Sequence, residues 1–321
     1  MKPARSLPAD GTVPADVVIL MATYDGGAHL PAQLASFAAQ DHPNWSLVVS
    51  DDGSRDATRR ILDDFAAAGH RVTVLTGPGR GAAANFMSLL RRAPEYVPTG
   101  SFLALSDQDD VWMPDRLSRG LAALWPGAPD RPAVWCSRTY VTGPLLQAPR
   151  ISAPRPRPLS FRNALVQNVM AGNTILLNPG ASQLSSRLAA MTEEVVFHDW
   201  WLYLILTGAG ARVIHDDRPS LFYRQHGANE FGANNRFLPR LARLRMLCGG
   251  SMRRWTDINL AALERARPWL TAENAALVDL FARSRNAPVP ARLSALRRGR
   301  IYRQTWTGTT ALWIAATLGL L

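Results

Sequence analysis

Residues 103–117 read LALSDQDDVWMPDRL, so Asp107, Asp109 and Asp110 follow directly on the apolar Leu103, Ala104 and Leu105. Carboxylates crowded at the end of a buried strand repel one another and lose hydration, and both effects oppose ionisation. Such a cluster needs a counter-charge. A hard divalent cation, shared between carboxylates and the oxygens of a bound phosphate, supplies one. The expectation is that Asp109, with Asp107 beside it, holds Mg²⁺ or Mn²⁺ bridging a nucleotide diphosphate. Acids at strand ends also cap helices, but three so close together exceed that need.

The elements that must position these acids are legible around them. DVVILMA (16–22), SLVVSD (46–51), RVTVLTG (71–77) and SFLALSD (101–107) are apolar runs of strand length. Between them AHLPAQLASFAAQ, DATRRILDDFAAAG and AANFMSLLRRA carry apolar residues at helical spacing. Strands apolar on both faces and separated by helices predict an α/β fold, a mostly parallel sheet covered on both sides. In such sheets ligands bind beyond the C-terminal strand ends. The polar clusters fall there: TYDGG after the first strand, DDGS after the second, GPGRG after the third and DQDD after the fourth. TYDGG also suits an ordinary turn, and Ser54 or Asp56 can cap the following helix. GPGRG lacks both the dinucleotide fingerprint and the Lys-Ser/Thr of a P-loop, and reads as a loop.

Charge is segregated along the chain. The net charge is +11 over 321 residues, and residues 236–303 alone hold 15 Arg against Asp257, Glu264, Glu273 and Asp279. Residues 1–235 are neutral, with 21 basic and 21 acidic side chains. The 2 cysteines, Cys136 and Cys248, have neither metal nor redox spacing, which fits a reducing compartment. MKPARSLPADGTVPAD has no apolar stretch and reads as a flexible leader over residues 1–15 of a cytoplasmic protein.

Four motifs in order carry a resemblance. VVILMATYDGGAHLPAQLASFAAQDHPNWSLVVSDDGSRDAT is similar to the opening signature of family 2 glycosyltransferases, and SDQDDVWMPDRL to their D-x-D segment. FHDWWLYL (197–204) and YRQHGANEFG (223–232) resemble later signatures of the rhamnosyltransferase-like branch. The resemblance covers about residues 16–232. It implies a GT-A-type, Rossmann-like domain over 16–235 and leaves uncovered the basic region at 236–321, which its own pattern marks as helical.

The resemblance also implies roles. The backbone at Ala22 and Thr23, with the Tyr24 ring, would cradle the nucleotide base, and Asp52 would accept from the base N–H. Asp107 would lie near the ribose and Asp109 on the metal, with Asn85 a further donor-pocket residue. Inversion at the anomeric carbon needs one general base, and Asp199 of HDWW would be that base. An acceptor hydroxyl is a poor nucleophile until its proton is removed, and Asp199 lies between Phe197, Trp200 and Trp201 in an apolar setting that strengthens a base. The alternative is that Asp199 caps the helix it opens, and the two roles are compatible. The Trp pair also suits stacking on a sugar face, with core packing an equal expectation for one of the two rings. His226 either completes the metal site or is an ordinary loop histidine. MAGNTILLNPG (170–180) resembles the family's acceptor-side strand, where Gly172, Asn173 and Thr174 would line the diphosphate or the acceptor pocket.

The signatures lean toward dTDP-rhamnose as donor, with UDP-hexoses second, and a glycan or lipid-linked acceptor. A sugar nucleotidyltransferase is the rival enzyme, although its Gly-rich basic loop is absent. A nucleic-acid-binding protein would explain the basic region but not the neutral body. Leu238, Leu241, Leu244 and Leu247 alternate with arginines, and TALWIAATLGLL is apolar but shorter than a membrane span. This pattern fits peripheral contact with the anionic inner face of the cell membrane. Packing on the body or on a second subunit, as in a homodimer, is the alternative.

Overall fold

The computed structural model describes residues 15–225 and 251–321. Leader residues 1–14, His226 and the Leu238–Leu247 stripe lie outside the described residues. Two compact units are present. One is built from the chain up to Pro154 with Met170–Glu193 and Ala211–Arg224, and the other from Arg155–Val169, Glu194–Gly210 and the residues after Arg224. The second unit thus takes two segments from within the 16–235 span.

The first unit alternates β1 (Val17–Thr23), α1 (Leu30–Ala38), β2 (Trp45–Asp51), α2 (Thr58–Ala67), β3 (Val72–Thr76), α3 (Ala82–Tyr96) and β4 (Phe102–Ser106). β5 (Val111–Trp112), α4 (Arg116–Leu124), β6 (Ala133–Thr142) and β7 (Arg150–Ile151) follow, and β8 (Leu176–Leu177), α6 (Pro179–Met191) and β9 (Arg212–Arg224) complete it. The strands form one mixed sheet in the order β3-β2-β1-β4-β8-β6-β9-β5, with β7 on β6. β3, β2, β1 and β4 are parallel, as the alternating pattern predicts, and β8 enters antiparallel to β4. Val17 to Met21 of β1 are all buried, because the strand is sandwiched by helices on both faces. The order reverses between β1 and β4, and strand ends splay apart at such a switch point to leave a crevice.

The second unit is helical, with α5 (Phe161–Ala164), α7 (His198–Gly208), α8 (Ser251–Arg265), α9 (Ala272–Ser284), α10 (Val289–Arg298) and α11 (Trp306–Leu318). α7 reads HDWWLYLILTG and is buried from Trp200 to Gly208, as expected of a helix apolar all round. Tyr203 donates to Asn163 Oδ1 at 3.0 Å, and Asn274 donates to the carbonyls of Thr207 and Gly208 at 3.1 and 2.9 Å. Trp200 and Trp201 are both core residues, and Trp200 Nε1 donates to the Ala164 carbonyl at 2.7 Å. The pair therefore packs α7, which corrects the expectation that it stacks on a sugar.

Candidate active site

β1 lies between β2 and β4, with Thr23 paired to Asp51 and Met21 to Ser106. The TYDGG turn therefore sits between DDGS and DQDD, and backbone donors of one motif are answered by side chains of the others. The Asp25 N–H donates to Ser54 Oγ at 2.9 Å, Gly26 N–H to Thr58 Oγ1 at 2.8 Å and Gly27 N–H to Asp56 Oδ2 at 2.7 Å. Asp56 also accepts from Thr58 N–H at 2.9 Å, one residue ahead of Ala57, the N-cap of α2, which carries no side-chain cap bond. On the DQDD side, Gln108 bonds the Tyr24 backbone through both amide atoms, each at 2.9 Å. Tyr24 is left with its ring 57% exposed at the rim of the sheet.

The two acids of DDGS differ. Asp51 is structural: it accepts from Thr23 Oγ1 at 3.0 Å and Ser54 Oγ at 2.5 Å, and pairs with Arg59 at 3.1 Å. Asp52 faces the GPGRG loop, accepting from Gly79 N–H at 2.6 Å and Gly81 N–H at 2.8 Å. That loop therefore fixes Asp52, a role its sequence did not reveal. Gly77 is required beside it, since a Cβ there would lie 2.6 Å from Asp52 Oδ1 and 2.9 Å from Asn85 Oδ1. Asn85 is buried and donates to the Ser50 carbonyl at 2.8 Å, tying α3 to the end of β2. Ala22 is part-buried in β1 and Thr23 fully buried.

Asp107, Asp109 and Asp110 bring one carboxylate oxygen each to within 4.8 Å of one another. Asp110 is buried and accepts from Asn173 Nδ2 at 2.6 Å and Arg224 N–H at 3.4 Å. Burial, then the charges of Asp109 and Asp107, push its carboxyl well above the usual carboxylate range. Asp107 and Asp109 are only part-buried. Two hard oxygen donors next to a third that resists ionisation match the donor set of Mg²⁺ or Mn²⁺.

Part of the counter-charge comes from the chain itself. Arg116, at the start of α4, is fully buried, with its guanidinium 3.6 Å from the centre of the Trp112 ring. It donates to the carbonyls of Asn173 and, at 3.3 Å, of Leu105. Burial lowers its pKa to about 9, while the charges of Asp110 and Asp107 act the other way. Arg224 donates Nε–H to the Asp109 carbonyl at 2.9 Å and Nη1–H to that of Pro144. Asn173, expected to line the pocket, uses its side chain to hold Asp110. Arg116 stands in the same LALSDQDDVWMPDRL stretch as the acids, and that proximity was the available signal. Arg224 lies 114 positions from Asp110, and only the pairing of β9 with β5 brings it there.

In the second unit Asp199 occupies the first turn of α7 and accepts from Trp200 N–H at 2.7 Å. Asp199 is not the cap, since the N-cap of α7 is Phe197 without a side-chain cap bond, but an acid in this turn interacts favourably with the helix dipole. Phe197 and Trp200 meet Trp255 of α8 edge-to-face, with centroids 5.5 and 6.3 Å apart. Burial holds the neighbouring His198 below its ordinary pKa, although the Asp199 charge opposes this. A histidine kept neutral in the fold stabilises above its unfolded pKa of about 6.5, and that stability is lost as pH falls through the lower folded value. Thermal unfolding scans between about pH 7.5 and 5 should therefore show wild type losing stability more steeply than His198→Gln. Parallel curves would refute the assignment.

A GT-A sheet with an acid cluster at its switch point defines a glycosyltransferase that uses a nucleotide-sugar donor. Residues 18–177 match the profile of Glycosyl transferase family 2, and the chain belongs to that family. It is 25% identical over 244 residues to the dTDP-rhamnosyl transferase RfbG of Shigella flexneri, covering 70% of this chain and 78% of that protein. It is 31% identical over 109 residues to the Escherichia coli glucosyltransferase WfgD, named for UDP-Glc and GlcNAc-diphosphoundecaprenol. That match covers 34% of this chain and 40% of WfgD. Among solved structures, mannosyltransferase PcManGT of Pyrobaculum calidifontis, in complex with GDP-Man and Mn²⁺, superposes with a TM-score of 0.51 at 19% identity. The alignment covers 99% of this chain and 90% of that one. TarS 1–349 of S. aureus, in complex with UDP-GlcNAc, gives 0.52 at 13% identity over 94% and 90% of the two chains. The likeness to both extends the GT-A fold assignment beyond the family match.

Proposed function

We propose that this protein is an inverting, metal-dependent rhamnosyltransferase that moves rhamnose from dTDP-rhamnose onto a hydroxyl of a glycan or lipid-linked acceptor. The paired Asp107 and Asp109 at the β1/β4 switch point carry the metal-dependent donor reading. Similarity to RfbG over 70% of the chain supports the sugar. Tyr24 stacks on the base beside the Ala22–Thr23 backbone, and Asp107 lies near the ribose. Each Asp52 oxygen accepts one loop N–H, and a carboxylate oxygen has lone pairs for a second donor, so Asp52 can still receive the base N–H. Asp109 and Asp107 hold the cation. When bound, Mg²⁺ or Mn²⁺ neutralises the charge that grows on the leaving diphosphate. Asp199 takes the proton of the acceptor hydroxyl.

A donor screen tests this reading by following nucleoside diphosphate release from dTDP- and UDP-sugars in the presence of Mn²⁺. dTDP-rhamnose should be consumed fastest. Turnover of UDP-hexoses in its place would move the protein to another donor, and pyrophosphate release would make it a nucleotidyltransferase.

The same proposal places the protein on the inner face of the cell membrane. No helix among the described residues is long and apolar enough to cross a membrane. α11 has two faces: Leu312, Ala315 and Ala316 are buried, whereas Trp306, Ile314 and Leu318 are 81%, 55% and 65% exposed. With Thr310 these three form a stripe at four-residue spacing, one side of a helix. Asp257, Glu264 and Asp279 each pair with an arginine of the same region, and Glu273 pairs with Arg162. Arg297, Arg298 and Arg300 are exposed at the end of α10. An apolar stripe on a positively charged unit suits an anionic bilayer better than a second, equally positive copy. Changing Trp306, Ile314 and Leu318 together to Ser should abolish co-sedimentation with anionic vesicles and leave the fold intact. Binding to neutral vesicles, or a wild-type dimer that the triple change dissociates, would contradict this placement.

A further inference from the structure

Gln108 is the middle residue of the acid motif, and nothing in the roles above uses it. Its side chain does not point at a ligand position but reaches across to the neighbouring strand end. Oε1 accepts from Tyr24 N–H and Nε2 donates to the Tyr24 carbonyl, both at 2.9 Å. The backbone polarity of Tyr24 allows only this orientation of the amide. Among side chains, only Gln and Asn offer a carbonyl acceptor and an amide donor on one planar group, and Asn is one methylene shorter. The contact spans 84 positions of sequence. It joins the residue whose ring is exposed at the end of β1 to the segment flanked by Asp107 and Asp109.

Gly26 belongs to the same device. A Cβ at Gly26 would lie 2.2 Å from Gln108 Oε1 and 2.6 Å from its Cδ. Gly26 has no positive φ, so its backbone conformation does not demand glycine. The demand comes from the Gln108 amide, which an alanine would displace.

The geometry points to Gln108 as a positioning residue that fixes the base-binding Tyr24 in register with the metal-holding acids, so that both halves of the donor nucleotide engage a preformed site. This rests on the donor-site reading given under Proposed function. Preorganisation of this kind contributes to affinity by removing ordering costs at binding. It should therefore govern ligands that span both halves and be silent for ligands that use only one.

The test compares two probes on the full chain by calorimetry: dTDP with Mn²⁺, which spans both halves, and pyrophosphate with Mn²⁺, which needs only the acids. Gln108→Leu removes both hydrogen bonds, and Gly26→Ala displaces the amide without touching it chemically. Each should weaken dTDP binding about tenfold, the scale of one to two net hydrogen bonds, while pyrophosphate affinity stays within about twofold. In turnover, donor KM rises and kcat is nearly unchanged. The double variant should be no weaker than either single, because both substitutions break one interaction. Wild-type dTDP affinity in the variants, additive effects in the double variant, or an equal fall in pyrophosphate affinity would each overturn the inference. Wild type that binds neither probe would overturn the donor-site reading and this inference together. Wild type that binds both, with unchanged variants, overturns this inference alone.

Discussion

Asp199→Asn should lower turnover by about 10²- to 10⁴-fold, the usual contribution of a general base, with the affinity for donor nucleotide nearly unchanged. On the proposed mechanism the carboxylate takes the acceptor proton, and the amide keeps its size but not its basicity. The helix should survive. Asn can still accept from Trp200 N–H, as the Asp199 carboxylate does at 2.7 Å, and α7 is held by burial from Trp200 to Gly208. Single-turnover kinetics with saturating donor, beside calorimetric titration of the nucleotide, separates the two effects. A variant that loses nucleotide affinity but keeps its turnover at saturation would place Asp199 on the donor and end its assignment as base.

Asp109→Asn should cost about 10²-fold or more in activity, the scale on which removal of one electrostatic stabiliser acts. Most of the Mn²⁺-dependent gain in nucleoside diphosphate binding should go with it. The fold should not suffer. The Asp109 charge is one of the two that push the Asp110 carboxyl upward, so its removal relieves repulsion in the metal-free protein. The Asp109 carbonyl accepts from Arg224 Nε–H, a contact the substitution retains. Unfolding midpoints without metal should therefore be equal or higher in the variant. Full activity of Asp109→Asn, or wild-type activity unchanged by excess chelator, would eliminate the metal site.

The parallel β3-β2-β1-β4 half of the sheet was legible because each strand is a short apolar run with a helical period on either side, and local patterning sets both. The positions of the polar clusters followed from that half alone, since βαβ connections carry every such loop to the same edge. The mixed remainder, in which β6 and β9 run parallel and the other pairs antiparallel, was not legible. β5, β7 and β8 are two-residue strands, too short for any period to register. The two-unit organisation was hidden for a related reason. Arg155–Val169 and Glu194–Gly210 join the helical unit although they lie between segments of the sheet unit, and contacts, not composition, decide membership.

By itself the sequence determined the family, the alternating fold of the first half and the crowding of three acids at one strand end, because spacing along the chain specifies all three. Only the tertiary structure decided how those acids differ. Asp110 turns inward to Asn173 and the backbone of Arg224, where desolvation disfavours its charge, whereas Asp107 and Asp109 remain part-exposed. It also decided that Asp51 pairs internally while Asp52 meets the GPGRG loop, and that Gln108 clasps Tyr24. These outcomes depend on which strand lies beside which and on which side chains lose water. Neighbours in space are chosen by the packing of the whole sheet, so residue order alone does not encode them.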